Sequence, residues 1–271
     1  MTDATGTPTP APGKTPLDMG KMISDTFSIY FKNILLFFII VFIPYLGYTT
    51  FVTNVIGGYD ANSTDYGQMA RVIGASSISL FLVLVLVQSV IVRVAISLKV
   101  GQGPAIGKAI LATISGIVPI LLFSIMVGII LLAGYLFFIV PGLYLTGMFF
   151  VLIPVIVFEN AGFNAFNRTV QLTEGYRWII LGTSVVLGII VSLAASVFSG
   201  VVIGIVMAAG AFDIESMMAG TMVYPWWYLA LDAAANALTL PISLISAGVI
   251  YARLKQIKEG GETGDLLKVF E

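Results

Sequence analysis

Between Lys108 and Glu159 the chain runs for fifty residues without one charged side chain. That is too long for a single membrane-spanning helix, which needs about 20 apolar residues, and long enough for two. Over all 271 residues, 58% are hydrophobic, only 10% are charged, and the mean hydropathy is +1.03. A soluble fold could not hide that much apolar surface from water. The expected class is an all-α, polytopic integral membrane protein.

Six spans are expected, at about 34–56, 72–96, 110–135, 140–158, 178–208 and 224–252, with Pro141-Gly142 as the break between the third and fourth. Residues 1–14 read as a disordered, Pro/Thr-rich tail with no signal-peptide pattern, 15–258 as one membrane domain, and 259–271 as a second tail. If the amino terminus lies inside, twelve of the thirteen lysines and arginines fall on the inner side, and Arg71 alone falls outside. That is the positive-inside pattern, and it predicts a cell (cytoplasmic) membrane protein with both termini in the cytoplasm. Asp60, Asp65, Asp213 and Glu215 fall in outer loops, and Trp226, Trp227 and Tyr228 open the last span as an interfacial belt.

Three inner segments predict amphipathic helices lying at the membrane surface. The first starts with Thr15 as cap and Pro16 after it, with Asp18, Lys21, Asp25, Ser28 and Lys32 on its polar stripe. The segment from Asn160 to Gly175 carries Asn164, Asn167, Arg168, Gln171 and Glu174 on one side, Phe163, Phe166 and Val170 on the other. Asn160 suits a helix cap and Gly175 a helix end. Gly20–Thr26 echoes Gly107–Thr113, and together with the third segment this suggests three units, each a surface helix followed by two spans.

The chemical inventory is thin. Without His or Cys there is no imidazole for acid–base work, no thiolate, and no metal site of the usual kind. Gly107-Lys108 lacks the remainder of a phosphate-binding loop. No cofactor and no catalysis are expected, and a net charge of −1 argues against nucleic acid. Asp232 lies inside the last span, so it is a functional intramembrane acid, the partner of Arg71, or a group partly exposed near the interface; Gln88 can line the same interior or bond a neighbouring helix. Ser184, Gly188, Ser192, Ser196, Gly200, Gly204 and Ala208 recur every fourth residue, a stripe that suits packing within the bundle, or else a homodimer face.

One stretch carries a family resemblance. Pro141-Gly142-Leu143-Tyr144-Leu145, then Pro154, Glu159-Asn160, Gly162, Arg168-Thr169, Leu172-Thr173, Gly175 and Trp178 resemble the membrane domain fused to some bacterial glycerophosphoryl diester phosphodiesterases. The plan is also similar to that of YciC-type multi-span proteins. The likeness is best over 139–182, where Gly147-Met148-Phe149 replaces an Arg common in that family. The phosphodiesterase chemistry belongs to a separate soluble barrel with no counterpart here, so the resemblance implies a membrane module without that activity. Two functions are expected. The first is a non-catalytic protein that organises membrane lipids or recruits a cytoplasmic or membrane protein partner at the inner face. The alternative is a small transporter or lipid-handling permease with a cavity near Asp232 and the Pro141-Gly142 break.

Overall fold

The computed structural model describes residues 17–56, 65–159, 164–210 and 225–260. The described residues form ten helices and no strand. Six apolar helical segments are long enough to cross a bilayer, running Ile34–Asn54, Tyr66–Lys99, Ile117–Phe137, Ile139–Glu159, Arg177–Ala208 and Trp226–Glu259. The molecule is an all-α polytopic membrane bundle. Lys99, Lys108, Glu159, Arg177 and Arg253 gather at one end, here the charged end; Arg71 lies at the other.

Helix α1 (Met19–Lys32) is capped by Asp18, whose carboxylate accepts from the Lys21 amide at 3.1 Å. The expected cap, Thr15, lies outside the described residues and four positions before the helix begins. α1 packs along the last helix on one side and leaves its polar side exposed. Leu17 and Met22 sit beside Arg253 and Ile257, and the Tyr30 hydroxyl donates to the Leu238 carbonyl at 2.6 Å. Asn33 separates α1 from α2 (Ile34–Phe51), which continues as a wider turn to Ile56. α3 (Tyr66–Lys99) follows, capped by Asp65 through the Gly67 and Gln68 amides.

Prolines punctuate the uncharged run with a regularity that the sequence reading overlooked. α4 (Ile106–Ser115), α5 (Ile117–Phe137), α6 (Ile139–Phe149) and α7 (Leu152–Glu159) divide it, and α5, α6 and α7 each place a proline third: Pro119, Pro141 and Pro154. There the missing N–H falls among the first four amides, which have no intrahelical partner anyway. The carbonyls left without their i+4 donor are those of Ser115, Phe137 and Phe150, at or beside the end of the preceding helix, so each proline stops one helix and permits the next. Two corrections follow. The third span begins at Ile117, because 106–115 is a separate helix, and the break before the fourth lies at Phe138, with Pro141-Gly142 already inside α6.

Phe138 is the whole connection between α5 and α6, its backbone extended at φ −163° and ψ 153°. A methyl on Gly142 would stand 2.4 Å from the Tyr135 ring, and one on Gly134 would stand 3.3 Å from the Gly142 Cα, so two glycines permit the tight crossing. The hairpin tip, Leu136 to Val140, is exposed and wholly apolar.

α8 (Ala165–Thr173) precedes α9 (Arg177–Ala208), and α10 (Trp226–Glu259) closes the bundle. Thus α1, α4 and α8 each stand at the charged end before a pair of spans, and each buries a threonine: Thr26, Thr113 and Thr169. α10 runs through the centre, where it joins two apolar cores. One gathers Phe37, Val41, Ile91 and Ala237; the other gathers Val151–Phe158, Ile180 and Tyr251.

Candidate functional site at the charged end

The family-like segment folds so that two of its residues meet. Glu159 ends α7 and Arg168 lies one turn into α8; the guanidinium grips the carboxylate through Nε at 2.5 Å and Nη2 at 3.3 Å. Such a two-point contact fixes orientation as well as charge. The Tyr251 hydroxyl donates to the same carboxylate at 2.9 Å, and Arg168 also pairs with Glu259 at the end of α10. Arg168 is therefore drawn inward to join three helices and does not stand on a wet face. Below it Phe158 stacks on Tyr251 at 5.9 Å, and the Arg93 guanidinium lies 6.0 Å from the Phe158 ring.

A second knot ties α1 to α3 and α10. One Asp25 oxygen accepts from Lys99 Nζ at 3.1 Å and from Arg253 Nη2 at 2.9 Å. Partial burial pushes the Asp25 carboxyl up, but the Lys99 and Arg253 charges and hydrogen bonds outweigh it and hold the group below the ordinary carboxylate range. The expected polar stripe of α1 thus loses Asp25 to an ion pair, while Lys21, Ser28 and Lys32 stay exposed.

A third contact joins α6 to α9. The Arg177 guanidinium lies 4.9 Å from the Tyr144 ring, bonds its hydroxyl, and donates to the Val170 carbonyl at 3.3 Å. Trp178 sits 6.2 Å from Tyr144 and remains 59% exposed, suited to the membrane interface. Gly175 adopts φ +84° in the turn that ends α8, a conformation that costs glycine nothing. Asn160 lies outside the described residues, and α8 begins at Ala165. Pro141 and Gly142 stand at the far end of the span that carries Glu159, so the resemblance motif does not converge on one site.

Two other expectations meet different surroundings. Asp232 does not pair with Arg71: Arg71 reaches Asp65 at 3.9 Å on the exposed start of α3, whereas Asp232 bonds Asn236 at 3.4 Å, within electrostatic reach of Tyr45 and Tyr48 on α2. Among the described residues, the stripe on α9 is left uncovered over most of its length. Ser192, Ser196, Gly200 and Gly204 are exposed, and a methyl added to Gly188, Gly200 or Gly204 would meet nothing within 4 Å.

Among the described residues the charged end carries ten lysines and arginines (Lys21, Lys32, Arg93, Lys99, Lys108, Arg168, Arg177, Arg253, Lys255, Lys258) against five carboxylates (Asp18, Asp25, Glu159, Glu174, Glu259). Asp25, Glu159 and Glu259 are already engaged in ion pairs. Lys21, Lys32 and Lys108 are exposed with no carboxylate partner among the described residues, so positive charge is left facing outward. Two notches open at this end. The first, of about 390 Å³, is lined by Asp18, Lys21, Arg253 and Gln256, with Leu17, Met22 and Ile257 at its border; the second, of about 350 Å³, by Asp25, Ser28, Lys32, Asn33 and Lys99. No group of His, Cys, Asp and Glu with metal-holding geometry occurs among the described residues. No protein-family model, curated protein or solved structure matches the chain.

Proposed function

We infer that this chain is a non-catalytic protein of the cytoplasmic membrane whose charged end faces the cytosol and organises anionic lipid headgroups there. The carrying observation is the positive charge left uncompensated among the described residues. The carboxylates of the ion-pair frame fix α1, α8 and α10, and Lys21, Lys32 and Lys108 are left around its rim. A basic residue near an anionic bilayer surface contributes about 1 kcal/mol of attraction. α1, α4 and α8 are the interfacial helices of this reading, with Trp178 anchoring the re-entry of α9. The bias of basic residues to one end supports the orientation, with the first and last described residues in the cytoplasm. The motif over 139–182 supports placing the chain beside the membrane domains of glycerophosphoryl diester phosphodiesterases and the YciC-type proteins, without their hydrolytic chemistry.

The test is retention of phosphatidylglycerol over phosphatidylcholine by the detergent-purified chain, measured by native mass spectrometry. Replacing Lys21, Lys32 and Lys108 together with Gln should reduce that preference by about tenfold or more. Equal retention of both lipids by the unsubstituted chain would overturn the reading. Specific capture of a cytosolic protein without lipid preference would replace it with partner recruitment. A single cysteine at Lys258 should react with a membrane-impermeant maleimide only from the cytosolic side.

A further inference from the structure

The middle of the bundle holds a cavity of about 440 Å³ between α3, α5, the α6–α7 break and α10, within the range of small-ligand sites. It is a groove rather than a sealed void, because Gly128 at its margin is exposed. Most of the lining is apolar, yet polar groups from several helices converge on it. The Ser124 hydroxyl oxygen is buried with no hydrogen-bond partner. The Gln88 amide and the Ser243 hydroxyl also line it and form no hydrogen bond with any described residue. Phe150, at the α6–α7 break, also lines it.

Depth narrows what can fill it. At 1.5 Å per residue, Gln88 lies about 16 Å along α3 from Lys99, Ser243 about 15 Å along α10 from Arg253, and Ser124 about 10 Å into α5. Those depths place the polar groups near the middle of a hydrocarbon layer about 30 Å thick. No charged side chain lines the cavity, so a charged headgroup would be buried there unpaired, at heavy cost. Unpartnered amides and hydroxyls in hydrocarbon are costly too, and a ligand that supplies both donor and acceptor relieves them.

We propose that this groove seats an uncharged lipid drawn from the bilayer, a single hydrocarbon chain bearing a hydroxyl or carbonyl group that pairs with Gln88, Ser124 and Ser243. The site is independent of the lysine rim. The chain lies along Phe81, Val85 and Leu131, and its polar group replaces the hydrogen bonds that the helices do not make among themselves.

The full chain, reconstituted in phosphatidylcholine vesicles, is irradiated with a hexadecanol carrying a mid-chain diazirine, or with the same chain ending in a sulfonate. Adducts are mapped by mass spectrometry. The alcohol should label groove residues of α3 and α5 about tenfold more than the sulfonate does, and Gly128→Phe should remove about nine-tenths of that signal. A Cβ added at Gly128 would meet no heavy atom within 4 Å, so the backbone there accepts a larger side chain at the groove margin. Ser124→Val and Gln88→Leu should each weaken labelling about three- to tenfold, the effect of one hydrogen bond. Labelling of the exposed α9 surface, unchanged in every variant, reports that the bundle is intact; should Gly128→Phe fail that control, Ser124→Val decides. Equal labelling by alcohol and sulfonate, groove labelling no stronger than on α9, or indifference to Ser124→Val would overturn the proposal.

Discussion

Helices α9 and α10 have nearly the same length, 32 and 34 residues, and both qualify as spans, yet 6% of the apolar window of one is buried and 61% of the other. The less apolar helix is the central one. α10 carries Asp232, Asn236, Thr239, Ser243 and Ser246, whereas α9 beyond Ser184 is Val, Ile, Leu, Phe and Met interrupted only by small residues. In water the greasiest element goes inside. In lipid the tails are as apolar as any side chain, so that drive disappears, and polar or small residues that bond or pack closely take the centre. The α9 stripe departs from that rule: it is built of small residues with the spacing of a packing motif, yet Ser192, Ser196, Gly200 and Gly204 are exposed among the described residues.

Truncations should break the comparison most sharply. Ile245→Ala, from a side chain with no exposure in α10, should cost about 2–4 kcal/mol in reversible unfolding from mixed micelles. Ile203→Ala on α9, 48% exposed, should cost less than about 0.5 kcal/mol. Similar losses at the two sites would mean that α9 is covered in the membrane.

Glycines give the next contrast. A methyl at Gly147 would stand 2.6 Å from the Arg177 carbonyl oxygen, backbone that cannot step aside, so Gly147→Ala should cost about 1–3 kcal/mol and loosen α6 from α9. Gly204→Ala meets nothing, and should leave stability unchanged or raise it by about 0.5 kcal/mol. Thermal unfolding of the pair followed by circular dichroism measures both.

Glu159→Gln sharpens the view of α10 as the tie-beam. It keeps the shape but removes the charge that Arg168 and the Tyr251 hydroxyl share, so a loss of about 1–2 kcal/mol is expected, with faster proteolysis at α8. The smallest effect is acid release of α1. The Asp25 carboxyl is depressed in the folded state, so its contribution is complete above the ordinary value of about 3.9 and is lost as pH falls through the lowered one. Hydrogen-exchange protection of α1, corrected for the intrinsic pH dependence of amide exchange, should be flat from pH 8 to 5 and fall below about 4; Asp25→Asn should abolish that acid-dependent fall.

The six apolar stretches and the crowding of basic residues at one end were legible because length and charge placement carry that information directly. The internal joints were less so. Pro141-Gly142 looked like the break because both residues weaken a helix interior, but a proline in the first turn costs nothing and marks a start. Ser115-Gly116 lies in an uncharged run whose hydropathy does not change where the short helix α4 gives way to a span. The pairing of Glu159 with Arg168 was hidden for another reason. Both read as residues at a wet boundary, and only the return of α10, ninety positions later, brings Tyr251 and Glu259 to enclose them. Arg71 and Asp232 share an end of the bundle, but sharing a depth does not make two side chains neighbours.

The single-residue joint at Phe138 bears on how the chain is made. α5 and the α6–α7 span, 21 residues each, meet with no polar side chain at the bend, which leaves nothing for a translocation channel to hold in water between them. A hairpin of that kind is suited to enter the bilayer sideways as one folded-back unit, α5 with the α6–α7 span.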